Sequence, residues 1–375
     1  MNNFKIQMVD LTTQYRRLQA EIDKAIAAVM QSGQYINGPA VHTFSDELAQ
    51  YTGAQWVVPC ANGTDALQIA LMSLHLQAGD EVIVPAFTYI ATAEAIALLQ
   101  LCPVVVDVDE KTFNIDVSKI EQAISPRTKA IIPVHLFGQT ADMEPLLQIA
   151  KKYNLAVIED NAQSLGSIYT FSDGTKKQAG TMGNMGILSF FPTKNLACYG
   201  DGGALLTNNE NLAKQLKMIA SHGQAKKYYH EIVGCNSRLD TLQAAILSVK
   251  LKYLNEFIAV RQQAASEYHT HLQSLDWMEL PHCIEHSTHT YNQFTIKISK
   301  GKRDDLQQYL KEKNIPTVVY YPLPLHQQTA YQDLVRIGSD LSVSEKLCRS
   351  VLSLPIHTEL TKEEIAEIAK QIRAF

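Results

Sequence analysis

The chain has 375 residues, of which 46% are hydrophobic and 19% charged. This composition is typical of a globular protein and excludes a disordered one, and the length favours two domains. The formal net charge of −5 argues against non-specific nucleic-acid binding.

No apolar run is as long as a membrane span, and the N-terminus lacks the apolar core of a signal peptide. The six cysteines are scattered and form no Cys-x-x-Cys pair. We therefore expect reduced thiols and a cytoplasmic protein that does not contact a membrane.

In the first two-thirds of the chain, short apolar runs alternate with segments of helical periodicity. The runs predict strands at 56–60, 81–85, 104–108, 129–134 and 155–159. The segments between them predict helices at 63–74, 88–99, 116–123 and 143–153. Strands without polar alternation, separated by helices, predict a mostly parallel sheet covered on both faces. The loops that follow such strands meet at one edge, where ligands bind.

After residue 180 the pattern changes. Two consecutive strands are predicted at 187–191 and 203–207, followed by a helix at 211–220 and a long helix at 238–268. Further strands are expected at 291–298 and 317–321, helices at 304–313 and 362–375, and a hairpin at 169–177. The prediction is an α/β fold with a large domain at 1–245 and a smaller C-terminal α/β domain at 246–375.

Three polar segments follow predicted strands. Gly63 and Thr64 begin a helix whose free backbone N–H groups can bind an anion, although a plain helix cap has the same pattern. Asp160 ends a strand, where a carboxylate serves either a ligand or a cap. Lys194 lies between a buried strand and a Gly-rich turn, and a desolvated lysine can act as a Schiff-base amine. An anion cradle, a carboxylate and a lysine are the parts that pyridoxal phosphate (PLP) requires.

These segments belong to a longer series of motifs, and with them the chain resembles the DegT/DnrJ family of nucleotide-sugar aminotransferases over nearly its whole length. The family consists of fold-type I PLP enzymes. The matching motifs are Asn-Gly-Thr-Asp-Ala-Leu at 62–67, Pro-Ala-Phe-Thr-Tyr at 85–89, Ile-Pro-Val-His-Leu-Phe-Gly at 132–138, Glu159-Asp160 with Gln163, Ser-Phe-Phe-Pro-Thr-Lys at 189–194, Gly-Asp-Gly-Gly at 200–203 and Asn-Ser-Arg-Leu-Asp at 236–240.

The resemblance implies which residues contact the cofactor ring. Lys194 forms the Schiff base with PLP and later moves the proton between the sugar carbon and the cofactor carbon. Asp160 pairs with the pyridinium nitrogen and keeps the ring electron-withdrawing. Gln163 lies near the phenolic oxygen, and Tyr89 stacks on the ring.

The resemblance also implies a phosphate site shared between two subunits. Gly63, Thr64 and Ser189 hold the phosphate, and Asn236 of the partner subunit completes the site. Arg238 reaches the substrate side. The chain is accordingly expected to form a homodimer with shared active sites.

The substrate implied is a nucleotide-linked keto sugar, with L-glutamate as amino donor. The turn with Asp201 resembles that of enzymes acting at C3 of a UDP-linked 2-acetamido-3-keto sugar, including the 3-oxo-glucuronate. Tyr320 and Tyr321 lie on the substrate side, where relatives read His-Tyr-Pro. A tyrosine in place of that histidine offers a carboxylate only a neutral donor, which weakens the case for a uronate substrate.

Three alternatives remain open. One is a C4 aminotransferase that acts on a 4-keto-6-deoxy nucleotide sugar. Another is a PLP-dependent sugar dehydratase, although those relatives carry histidine in place of Lys194. The third is a non-catalytic regulator, although such chains usually lose the lysine or the aspartate.

Two further clusters have plainer explanations. The spacing of His282, Cys283, His286 and His289 is compatible with zinc ligation, but these residues fall in a predicted loop and no second cluster is evident, so we expect no metal. The basic and aromatic segment at 226–230 resembles a nucleic-acid reader, but an anionic nucleotide sugar explains its charge better.

Overall fold

The computed structural model describes residues 6–299 and 301–375. Its helices are α1 (Leu11–Ser32), α2 (Pro39–Thr52), α3 (Gly63–Met72), α4 (Ala91–Leu98), α5 (Ile120–Ala123), α6 (Met143–Tyr153), α7 (Glu210–Ala220), α8 (Thr241–Leu251), α9 (Leu254–Leu272), α10 (Arg303–Glu312), α11 (Ser342–Ser350) and α12 (Lys362–Ala374). Within the described residues, no helix combines the length and apolar character needed to cross a membrane.

The strands are β1 (Trp56–Cys60), β2 (Glu81–Pro85), β3 (Cys102–Val106), β4 (Thr128–Ile131), β5 (Ala156–Asp160), β6 (Ile168–Thr170), β7 (Lys176–Gln178), β8 (Met185–Ser189), β9 (Gly203–Thr207), β10 (Gln224–Lys226), β11 (Tyr229–His230), β12 (Met278–Glu279), β13 (Phe294–Ile298), β14 (Arg336–Ile337) and β15 (Val351–Leu354). The predicted bounds of β1, β2 and β9 are confirmed, and the hairpin expected at 169–177 is β6 and β7.

An eight-stranded sheet forms the centre of the large unit, in the order β1-β9-β8-β5-β4-β2-β3-β14. The strands from β8 to β14 in that order pair in parallel, whereas β9 runs antiparallel to both β8 and β1. The central strands are buried at nearly every residue, since helices cover both faces. The predicted mostly parallel sheet is confirmed.

A second, smaller sheet lies near the C-terminus and consists of β12, β13 and β15 in antiparallel order. Helices α9, α10 and α12 pack on it around a core that includes Tyr268, Phe294 and Leu354. The expected boundary at residue 245 falls inside α8, a helix that packs against α1 and α2. The two-domain division at that residue stays a prediction.

Two expected elements are wrong. The long helix predicted at 238–268 is instead two helices, because the chain turns at Lys252 and Tyr253 between α8 and α9. Both helices bury an apolar face, so the apolar periodicity continues across the turn. The strand predicted at 317–321 is a single bridge between Val318 and Ser353, since the chain then leaves the sheet toward the large unit.

The edge strand β14 is attached to the large sheet by a buried carboxylate. Glu81, at the start of β2, has no exposed side-chain surface and accepts hydrogen bonds from Ser125 (2.6 Å), Thr128 (3.1 Å), Arg127 (2.9 Å) and Arg336 (2.9 Å). Burial by itself would raise the pKa of Glu81, but the hydrogen bonds from Ser125 and Arg336 outweigh it and lower the pKa. The ionised carboxylate therefore joins β2, β4 and β14.

Glu81→Gln should destabilise the fold by about 2 kcal/mol at neutral pH, since charged hydrogen bonds become neutral ones at a buried site. A carboxyl with a lowered folded-state pKa contributes stability above its ordinary pKa of 4.5 and loses it as the pH falls further. The stability difference between wild type and variant should therefore shrink in acid. Urea unfolding at several pH values measures it.

Glu121→Gln is the matched control for this measurement. Glu121 pairs with Lys152, but both side chains are largely exposed, so its loss should change stability little. A Glu81→Gln difference that is equal at acid and neutral pH would contradict the role of the ionised carboxylate.

Candidate active site

A cavity of about 600 Å³ opens where β1, β2, β4, β5 and β8 end. It lies at the sheet edge at which the sequence predicted ligand binding. All but two of the predicted site residues line it: Gly63, Thr64, Tyr89, Asp160, Gln163, Ser189, Lys194, Tyr320 and Tyr321. The fold thus brings them together, while their individual roles stay predictions.

The N-terminus of α3 forms one wall of this cavity. Asn62 caps the helix by accepting a hydrogen bond from the Asp65 N–H (2.8 Å), which leaves the N–H groups of Gly63 and Thr64 free of a capping partner. A Cβ placed on Gly63 would lie 2.8 Å from Cβ of Ser189. The helix start and Ser189 therefore lie side by side in the cavity wall, an arrangement that suits a bound phosphate.

Lys194 enters the cavity from the turn between β8 and β9. Its backbone N–H donates to the Phe191 carbonyl (2.8 Å), which closes the turn. Burial lowers the pKa of Lys194 to about 8, although the carboxylate of Asp160 acts in the opposite direction. With that pKa, roughly a tenth of the amines are neutral near pH 7, so the nitrogen can attack an aldehyde.

Asp160 lies at the end of β5 and is 6% exposed. Its carboxylate accepts hydrogen bonds from the Thr92 hydroxyl (3.0 Å) and the Ala162 N–H (3.2 Å). Burial raises the pKa of Asp160, and no residue in 6–299 or 301–375 forms an ion pair with it. Because a buried carboxylate without an ion pair is costly, the site suits a cationic ligand such as a pyridinium nitrogen.

The opposite side of the cavity is built around Gln163. Its Oε1 accepts from the Phe137 N–H (3.0 Å), and its Nε2 donates to the Tyr321 hydroxyl (3.3 Å). Phe137 has a φ of +59°, so this hydrogen bond helps to hold a left-handed turn. Tyr89 keeps 57% of its surface exposed beside Tyr321, which leaves an aromatic ring available to a flat cofactor.

The residue before Asp160 carries a buried contact that sequence reasoning missed. Glu159 accepts hydrogen bonds from His135 Nε2 (2.8 Å) and from the N–H groups of Gly180 (2.8 Å), Met182 (2.6 Å) and Gly183 (2.6 Å). His135 Nδ1 accepts from the Ala141 N–H (3.1 Å), so Nε2 carries the proton. Both residues lie within motifs of the sequence, but nothing in their spacing indicates that they pair.

Other cavity residues also had no sequence signal. Asn292 and Gln293 line the cavity from the segment just before β13, whereas Asp201 lines it from the Gly-rich turn that the sequence motifs already include. Thr92 was missed as well, because a threonine inside a helix gives no sign of the carboxylate that it meets.

The two predicted residues outside the cavity are Asn236 and Arg238. Asn236 is exposed, and Arg238 contacts His222 (3.3 Å). Both lie on the segment that follows β11, away from the lysine of their own chain.

The histidine-rich segment near residue 286 is engaged in ordinary contacts. His289 is buried and stacks on Tyr291 with ring centroids 4.0 Å apart, and His286 contacts Asp142 (3.4 Å). Among the described residues, no group of three or more His, Cys, Asp or Glu side chains is arranged to hold a metal ion.

Comparison with known proteins identifies the family. The model of the DegT/DnrJ/EryC1/StrS aminotransferase family matches residues 16–373. The chain is 46% identical to the UDP-2-acetamido-2-deoxy-3-oxo-D-glucuronate aminotransferase of Pseudomonas aeruginosa, over 96% of this chain and 97% of that protein. It is 43% identical to a pleiotropic regulatory protein of Geobacillus stearothermophilus, over 99% and 98% of the two chains.

A solved structure confirms the fold. A DegT/DnrJ/EryC1/StrS aminotransferase from Brucella abortus superposes with a TM-score of 0.94 at 40% identity, covering 99% of each chain. Other solved structures that match this chain are described with bound PMP or in a PLP form. The chain therefore belongs to the DegT/DnrJ/EryC1/StrS aminotransferase family, has the fold-type I architecture and uses PLP as cofactor.

Proposed function

We propose that this protein transfers an amino group from L-glutamate to C3 of a UDP-linked 2-acetamido-3-keto sugar. The observation that carries the proposal is the cavity in which Lys194 and Asp160 lie beside the start of α3. The P. aeruginosa relative, whose name specifies a UDP-linked 2-acetamido-3-oxo sugar, supports the sugar class. Other curated relatives are named as 3-amino-sugar transaminases.

Each of the predicted site residues has a separate role toward bound PLP. Bound PLP supplies an aldehyde and an electron-withdrawing ring. Asp160 would hold and orient its ring nitrogen, Gln163 would face its phenolic oxygen, and the start of α3 would hold its phosphate. Lys194 would hold PLP through Nζ, and its amine would be the group that moves a proton to and from the reacting sugar carbon.

The charges that line the cavity bear on whether the sugar carries a carboxylate. Among its described lining residues, Lys194 is the single cationic side chain, and the substrate wall is formed by Asn292, Gln293, Tyr320 and Tyr321. A uronate carboxylate would meet neutral donors from this part of the chain, and the cation that we assign to it is Arg238. The proposal therefore includes both the uronate and a neutral 2-acetamido sugar.

We also propose a cytoplasmic homodimer with shared active sites. The support is the exposed apolar surface on the segment that carries Asn236. Val233, Tyr228 and Tyr229 are 86%, 78% and 64% exposed and are the most exposed large hydrophobic side chains of the described chain. Such residues grouped on one segment favour a two-fold contact, in which each copy covers the other's segment.

The dehydratase and the regulator are less well supported. The lysine that dehydratase relatives replace is present here and lies in the cavity with Asp160. The same two residues argue against a non-catalytic role, even though one relative is named as a regulatory protein. The C4 reaction differs only in the substrate and is separated from the C3 reaction by the following assay.

Purified enzyme, loaded with PLP and glutamate, should aminate UDP-linked 2-acetamido-3-keto sugars and produce an amine at C3. The assay offers neutral and uronate 3-keto sugars beside 4-keto-6-deoxy sugars, with the product structure determined by NMR. An amine at C4, or turnover with the 4-keto sugars alone, overturns the C3 proposal. Failure of glutamate to convert bound PLP to PMP overturns the proposed donor.

Asp160→Asn should lower turnover by at least about 100-fold while most of the PLP stays bound, because the variant keeps the shape but loses the charge facing the ring nitrogen. Thr92→Val is the companion variant, since it removes one hydrogen bond to the same carboxylate. Its loss of turnover should be much smaller. Near-wild-type turnover in Asp160→Asn would refute the proposed role.

Mixed dimers of Lys194→Ala and Asn236→Ala subunits should regain activity that neither variant has alone, because one of the two sites then combines an intact lysine with an intact asparagine. Co-expression with two different tags and tandem purification isolates them. Borohydride reduction and peptide mapping should place the PLP on Lys194 of the Asn236→Ala subunit. Purified mixed dimers without activity would count against a shared site.

A further inference from the structure

A partly buried hydrogen bond joins the proposed phosphate helix to the segment that carries Asn236. Ser237 is 1% exposed and lies between Asn236 and Arg238. Its hydroxyl donates to Asp65 Oδ2 (2.6 Å) and accepts from the Ala61 N–H (3.0 Å). Asp65 belongs to the first turn of α3, one residue after Thr64.

The backbone around Ser237 is fixed on its other side as well. Its N–H donates to the Ala220 carbonyl (3.0 Å) at the end of α7, and Asn236 forms a β-bridge with Ser221. The side chain of Ser237 therefore makes the side-chain hydrogen bond from this segment to α3. Asn236 and Arg238, on either side of it, do not line the cavity of their own chain.

A carboxylate at position 65 has an electrostatic disadvantage. It stabilises the first turn of α3, but it also places a negative charge near the point where the cofactor phosphate is proposed to bind. Asn62 already caps the helix, so the cap does not require Asp65. The contact that its carboxylate makes with another segment is the one to Ser237.

We infer that Asp65 is a positioning residue for the partner's active site. Through Ser237 Oγ it fixes the backbone on which Asn236 and Arg238 are presented across the two-fold axis. The backbone N–H groups of α3 thus bind the phosphate in their own subunit. The side chain of Asp65 instead positions a residue of the phosphate site in the other subunit. This inference rests on the proposed shared site.

The inference predicts that loss of Asp65 weakens PLP binding at the active site whose lysine belongs to the other subunit. In the first mixed dimer, Asp65→Ala is added to the Lys194→Ala subunit, which supplies Asn236 to the one complete site. That site keeps an unaltered α3, so only the presentation of Asn236 is disturbed. We expect its PLP dissociation constant to rise about tenfold, which corresponds to a weakened hydrogen bond to a phosphate.

In the second mixed dimer, Asp65→Ala is placed on the Asn236→Ala subunit, which carries the working lysine. Asn236 now comes from a subunit with an intact Asp65. The PLP dissociation constant should change by less than roughly threefold, since the α3 backbone and the Asn62 cap remain. PLP bound at the working site is counted by borohydride trapping on Lys194 at a series of PLP concentrations.

Two more variants separate positioning from a general loss of structure. Ser237→Ala removes only the hydroxyl and, on the Lys194→Ala subunit, should reproduce the effect of Asp65→Ala. Asp65→Asn keeps an oxygen that can accept from Ser237 and should restore most of the PLP affinity. Thermal unfolding of each mixed dimer checks that the subunits are folded.

Equal effects of Asp65→Ala on either subunit, or a larger effect on the subunit with the working lysine, would overturn the inference. If the Lys194→Ala and Asn236→Ala subunits fail to complement before Asp65 is altered, the shared site itself is wrong and the inference falls with it. If they complement and Asp65→Ala on the Asn236-supplying subunit leaves PLP affinity unchanged, the shared site stands and only the positioning role is rejected.

Discussion

The buried carboxylate of Glu159 determines where most of the active site lies. It is bound by His135 after β4 and by three N–H groups of the loop before β8, so three chain segments meet at one carboxyl group. Because the group accepts four short hydrogen bonds, it holds these segments in fixed positions. The backbone of the next residue, Asp160, is therefore held in place, and its side chain enters the cavity.

Adjacent residues on a strand point to opposite faces, and here that alternation separates two carboxylates by function. Glu159 faces the protein and has all its hydrogen bonds satisfied by it. Asp160 faces the cavity, where it has a hydroxyl and one N–H but no ion-pair partner among the described residues. The same strand thus provides one carboxylate whose hydrogen bonds hold the fold and one that faces the cavity.

The elements that the sequence predicted well are those specified by local patterns. Strands such as β1 and β2 are apolar runs ending at Pro or Cys, and their ends predicted the ligand edge and the place of Lys194 and Asp160. The turn between α8 and α9 was missed because no Gly or Pro marks it. The Glu159–His135 pair, the Ser237–Asp65 bond and the cavity positions of Asn292 and Gln293 depend on contacts distant in sequence, which no spacing encodes.

Two close backbone approaches show which parts of the cavity tolerate change when substrate preference is engineered. A methyl group on Gly63 would meet Ser189, and one on Gly203 would lie 2.5 Å from the Asn62 backbone, so these positions admit only glycine without moving the lysine turn. The wall made by Asn292, Gln293 and Tyr320 comes from loops outside the lysine turn. Libraries for directed evolution toward new sugars belong on that wall, where side chains can be exchanged while the cofactor cradle stays intact.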